Sequence, residues 1–223
     1  MNRHGSLGTL SGLARRGLLV VVLAAWPQAW AQADPINAVY SLSPTAWGKP
    51  SSSDAYVETY GWQFHANATF EVSHLGWYDR DGDGLESSHE IAIWDMNEKI
   101  LARGVVQAGT ANPFDNSFRW MEITPIVLQA GQDYVVAGTA HLDWCTSVGT
   151  YEVAPQIIYT GRRSGWPTTS GPITLRWPFY YESAFGGGYW GSNFRIVPEP
   201  TALLLLAGGG MAVLKRRGAS RRA

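Results

Sequence analysis

The chain has 223 residues, 45% hydrophobic and 16% charged, with a formal net charge of −1 and a single cysteine. An intramolecular disulfide is therefore excluded, and the length suffices for a hydrophobic core without staples. The charge is unevenly spread: residues 34–196 carry nine Lys and Arg against 17 Asp and Glu, so the body of the chain is acidic and has no electrostatic footprint for a phosphate backbone.

The chain opens on Arg3, Arg15 and Arg16, then the apolar run GLLVVVLAAW, then PQAWAQA with small residues at alternate positions. This is the three-part plan of a secretory signal peptide over residues 1–33, cut after Ala31 or Ala33. The apolar run is too short for a stable anchor. Arg15-Arg16 before Gly17-Leu18-Leu19 also fits a twin-arginine signal, with an ordinary basic start as the simpler reading.

Residues 34–196 show no helical period. Short runs rich in β-branched and aromatic residues alternate with Gly, Pro, Asn and Asp clusters. The pattern predicts strands at 61–65, 69–78, 90–94, 100–107, 117–123, 133–140, 152–159, 173–177 and 192–197. Turn signals such as DMNE, QAGTANPFDN, QAGQ, GRRSGWPTTSGP and AFGGGYWG separate them. The expected fold is all-β, a single β-sandwich of jelly-roll type. Trp94 falls on the strand face opposite Ile91 and Ile93, and is buried only if loops cover that face.

The stretch YDRDGDGLESSHEIAIWD, from Tyr78 to Asp95, matches the calcium-loop pattern D-x-[DN]-x-[DN]-G-x5-E. Asp79, Asp81 and Asp83 take its first three acidic positions, Gly84 the sharp turn and Glu90 the last position, with the Leu85 carbonyl as a further ligand. Hard oxygens crowded on a glycine-turned backbone suit Ca²⁺. The flanks FEVSHLGWY and EIAIWD alternate as strands, which excludes a helix-loop-helix form of the site. Glu86 stands where such loops carry an apolar residue, and the extended run after the turn can aim Glu90 away from it. The competing reading is a hairpin loop whose Asp-Gly steps serve only the turn.

His89-Glu90 lacks the second histidine of HExxH, since Ile93 stands in its place, and GxSxG is absent. His141 and Cys145 lack a second pair of metal ligands, and nothing selects a carboxylate pair for glycoside hydrolysis. No catalytic residue is expected, and a secreted hydrolase ranks third among the readings. Of the tryptophans, Trp77, Trp94 and Trp120 lie on strands and are expected in the core. Trp166 and Trp190 lie in glycine-containing loops and are the candidates for stacking on sugars.

The chain closes on Val197-Pro198-Glu199-Pro200, the apolar run TALLLLAGGGMAVL and the basic KRRGASRRA. The run is marginal as a permanent span, and the basic end favours a cytoplasmic C-terminus. Motif, short apolar helix and basic tail, occurring in that order over residues 197–223, resemble the PEP-CTERM sorting signal of Gram-negative bacteria. The resemblance implies recognition by an exosortase-type transpeptidase near residues 198–200. It also implies a transient stay in the inner membrane through residues 201–214, and a cell that makes exopolysaccharide.

GWQFHANATFEVSHLGWYD, HEIAIWD, ILARGVV, FRWMEITPIVLQAGQDYVVAG and GSNFRI, in that order, look like a β-sandwich domain common in PEP-CTERM proteins. That resemblance spans residues 62–196 and implies architecture without a known activity. The expected protein is exported to the cell surface or extracellular matrix, with a structural or adhesive role in an exopolysaccharide or biofilm setting. The alternative is a calcium-stabilised carbohydrate-binding module. Nucleic acid is not an expected partner.

Overall fold

The computed structural model describes residues 34–46, 48, 57–145, 148–166, 174–183 and 187–197. The expected signal peptide at 1–33 and sorting segment from Pro198 onward lie outside the described residues. Among the described residues all regular elements are strands, and no helix is long and apolar enough to cross a membrane.

In chain order the first strands are β1 (Ile36–Asn37), β2 (Val39–Ala46), β3 (Glu58–Ala66), β4 (Phe70–Tyr78), β5 (His89–Asp95) and β6 (Ile100–Val106). They are followed by β7 (Phe114–Asp115), β8 (Phe118–Leu128), β9 (Asp133–Ala140) and β10 (Val148–Val153). The last are β11 (Ile157–Gly165), β12 (Tyr180–Ser183) and β13 (Ser192–Val197). They form a six-stranded sheet, β12-β11-β3-β9-β5-β6, a five-stranded sheet, β1-β13-β4-β8-β7, and the pair β10-β2. All pairings are antiparallel.

One core draws on both larger sheets. Trp62 and Phe64 of β3, Ile91 and Ile93 of β5 and Val136 of β9 come from one, and Val72, Leu75 and Trp77 of β4 with Phe194 of β13 from the other. Period-two alternation explains most of these positions. In β4 the period changes phase: Phe70 and Val72 face the core, and so do Leu75 and Trp77. A register shift between Val72 and His74 accounts for it. An extra residue in one strand turns all later side chains to the opposite face, and without it Trp77 would point outward. Trp77 then needs a gap in β9, which Gly138 supplies, because a Cβ there would stand 2.7 Å from the indole.

The outer face of the six-stranded sheet is also covered. Ala92, Trp94, Val135 and Ala137 form a second cluster, against which Leu175 and Trp177 pack. The expected strand at 173–177 is instead an irregular covering segment over its described residues, and the short strand β12 follows it. The expected strand at 152–159 is two strands, β10 and β11, because the chain turns at Ala154 to Gln156, where the Ile157 amide donates to the Ala154 carbonyl at 3.0 Å. Pro155, with no amide proton and a fixed φ, favours that turn. Strand β2 has no sequence signature, since Pro44 breaks its pattern and its partner among the described residues is the distant β10.

Candidate functional site

The loop between β4 and β5 is built around Asp79. This buried carboxylate accepts the amides of Gly82 and Gly84, both at 3.1 Å, and the Arg119 Nε–H at 2.7 Å. Gly82 and Gly84 have φ of +74° and +117°, a region open to glycine at little cost. Arg119, buried on β8, also donates to the carbonyls of Gly82 at 2.8 Å and Asn112 at 3.1 Å. The guanidinium thus lies against Asp79 and against carbonyls of two separate segments. It neutralises Asp79 and satisfies backbone carbonyls from two segments.

The far end of the loop hangs on a second carboxylate, Asp143. It accepts the amides of Glu86 at 2.9 Å and Ser87 at 3.0 Å. His89 lies fully buried beside it, with Nε2 at 2.8 Å from Asp143 Oδ2 and Nδ1 at 2.6 Å from the Thr139 carbonyl. Both nitrogens face acceptors, and the flat face of the ring stacks on Trp77 at 4.0 Å. Burial pushes the Asp143 carboxyl up, but the bonds from His89 and from the Glu86 and Ser87 amides outweigh it, and its pKa falls below the ordinary aspartate value.

Ser87, His89 and Asp143 are mutually within hydrogen-bond reach, yet the arrangement is not that of a nucleophile. Ser87 Oγ, 3.3 Å from His89 Nε2, meets the same nitrogen that faces Asp143. A general base needs that nitrogen free, with the carboxylate on the other one. The cluster instead ties the loop to the end of β9. Cys145 nearby is buried, and burial, helped by Glu58, pushes its thiol up to about 12, which leaves it protonated and inert.

The loop borders a cleft of about 220 Å³ whose walls include Asp79, Asp81, Asp83, Glu86 and Asp143, with Trp144 beside them. Four of the five expected calcium ligands, Asp79, Asp81, Asp83 and Leu85, line it. Glu90 does not. On β5 it shares a face with Ala92 and Trp94, where it pairs with Arg103 and accepts the Leu175 amide at 3.2 Å. Alternation along the strand carries it away from the turn. The Leu85 carbonyl accepts the Gly109 amide at 2.8 Å. Among the described residues no three His, Cys, Asp or Glu side chains converge into a metal-binding group. Arg119 and Asp143, which organise the loop, lie outside the motif, and no local pattern marks them.

The two sugar-stacking candidates part company. Trp190 is 2% exposed and packs among Trp62, Tyr151 and Tyr159, so it is a core ring and not a platform. Trp166 is 46% exposed and stands 5.4 Å from the ring of Tyr180. Of the sorting motif, Val197 is buried in β13 opposite Glu71; Pro198, Glu199 and Pro200 lie outside the described residues. Comparison with protein-family models, with curated proteins and with solved structures finds no match to this chain.

Proposed function

We propose that this is an exported cell-surface or extracellular-matrix protein, sorted by an exosortase-type transpeptidase and structural or adhesive in an exopolysaccharide setting. The observation that carries the reading is the order of Val197-Pro198-Glu199-Pro200, a short apolar run and a basic end. The position of the motif supports it: the last of the described strands ends at Val197, so a cut within residues 198–200 removes none of the described strands. Signal peptide 1–33, domain 34–196 and sorting segment 197–223 are the corresponding divisions, with the inner membrane as a transient stop. The jelly-roll reading of the domain is supported by crossings between the two larger sheets at β3–β4, β4–β5, β6–β7, β8–β9 and β12–β13. Mass spectrometry of the exported protein is expected to find no peptide from residues 201–223. An intact C-terminus with Arg221 and Arg222 would overturn the sorting reading.

The second reading, a calcium-stabilised carbohydrate-binding module, is favoured by the carboxylate-lined cleft. Asp81, Asp83 and Glu86 are exposed on its wall. Extracellular sites of this kind bind at roughly 10⁻⁴ to 10⁻³ M. An ion bound only by the native state then adds about 1.4–2.7 kcal/mol at about 10 mM calcium. The expected result is a higher melting temperature in calcium than in EDTA, lost in Asp81→Ala. Equal melting temperatures would leave the loop as a turn supported by Arg119 and Asp143 without an ion.

A further inference from the structure

Near its β12 edge the six-stranded sheet carries an aromatic strip that no motif announces. Tyr60, Ser164 and Tyr180 are paired across β3, β11 and β12, and so are Trp62, Arg162 and Glu182 in the next row. Directly paired residues of antiparallel strands share a face, so both rows lie on one side. Trp62 is buried, whereas toward β12 the rows open: Arg162 and Glu182 are half-buried and ion-paired, and Tyr180 is 46% exposed. Trp166, equally exposed, extends the strip beyond Tyr180. At the other end Tyr189 stacks on Tyr60 at 4.4 Å and lies under the Arg162 guanidinium at 5.4 Å.

The chemistry of the strip selects its occupant. The half-exposed rings of Trp166 and Tyr180 present apolar faces, while the Arg162–Glu182 pair offers planar donors and acceptors in fixed positions, backed by the Tyr60–Tyr189 stack. A protein's apolar patch would strand that ion pair without water. A sugar chain has C–H faces for the rings and hydroxyl edges for the ion pair. Within their row Tyr60 and Tyr180 lie two strand spacings apart, about 9.6 Å, close to the length of two sugar rings in an extended chain. The acidic body of the protein, nine basic residues against 17 acids over 34–196, repels a polyanion. We propose that the strip formed by Trp166, Tyr180, Arg162, Glu182, Tyr189 and Tyr60 binds a neutral polysaccharide chain.

This rests on the reading of the protein as a component of a polysaccharide matrix, and it names the class of polymer. The test is native electrophoresis of the full-length chain in gels containing hydroxyethylcellulose, dextran or alginate. Retardation by at least one of the two neutral polymers and not by alginate is expected. Trp166→Ala should weaken binding about tenfold, the equivalent of roughly 1.4 kcal/mol, and Tyr180→Ala should do the same should the first variant melt early. Tyr40→Ala, an exposed ring on β2 away from the strip, should leave binding unchanged. No retardation by either neutral polymer, equal retardation by alginate, or undiminished binding in folded Trp166→Ala or Tyr180→Ala would overturn the proposal. The assay uses uncut protein, so its failure leaves C-terminal processing untouched, and an uncut exported protein would not bear on the strip.

Discussion

Arg119→Met is expected to lower the free energy of unfolding by about 3–5 kcal/mol, the usual penalty for removing one partner of a buried ion pair. Asp79 and Arg119 are nearly inaccessible, with side chains 3% and 6% exposed. Methionine fills much of the volume but leaves the carboxylate charged and unneutralised, and it abandons the Gly82 and Asn112 carbonyls. Lysine should rescue little, since a point charge cannot reach both carbonyls and the carboxylate with a fixed fork. Asp79→Asn should be costly alone. Combined with Arg119→Met, it should destabilise by less than the two single losses together, because the uncompensated charge is gone. Urea unfolding followed by tryptophan fluorescence measures all of these. Asp81→Ala serves as the contrast: it is exposed, and a change within about 0.5 kcal/mol is expected. A loss below about 1 kcal/mol for Arg119→Met would mean that water satisfies Asp79, and the arginine would then not be the loop's internal cation.

Trp94→Ala should destabilise by roughly 3–5 kcal/mol, the range for truncating a large aromatic side chain in a core. Its face of β5 is the outer one, which an uncovered sheet would leave to solvent. Here Leu175 and Trp177 lie over it, with the Trp177 ring 6.1 Å away and edge-on. Residue 94 is 2% exposed as a result. Trp94→Phe keeps most of the contact and should cost markedly less. Trp177→Ala should unmask the Trp94 fluorescence to quenchers, because its ring is part of the cover. If Trp94→Ala unfolds within about 1 kcal/mol of the parent chain, the segment at 174–177 does not hold its place over the sheet in solution.

Strand positions were legible because alternation and turn residues act within a few residues of one another. The runs at 69–78, 90–94, 100–107 and 133–140 correspond closely to β4, β5, β6 and β9. The turn at Asp79 to Gly84 was legible for the same reason: short acids beside glycines bend the backbone wherever they stand. The two ends, read as export and sorting signals, rest on sequence alone. Only the tertiary structure decided what each turn and ring faces. Trp166 follows Gly165 and Trp190 lies two residues after Gly188, yet one is half-exposed and the other sits among core aromatics brought from three strands. Glu90 matched a ligand position, but the pleat of β5 set it on the opposite face. Arg119 and Asp143 lie 40 and 57 residues from the groups they hold, and Arg119 sets a positive charge against Asp79, the first acid of the DxDxDG motif. Local sequence sets dihedral angles; which charge or ring meets a given loop is set by how the sheets pack, and that depends on residues remote in the chain.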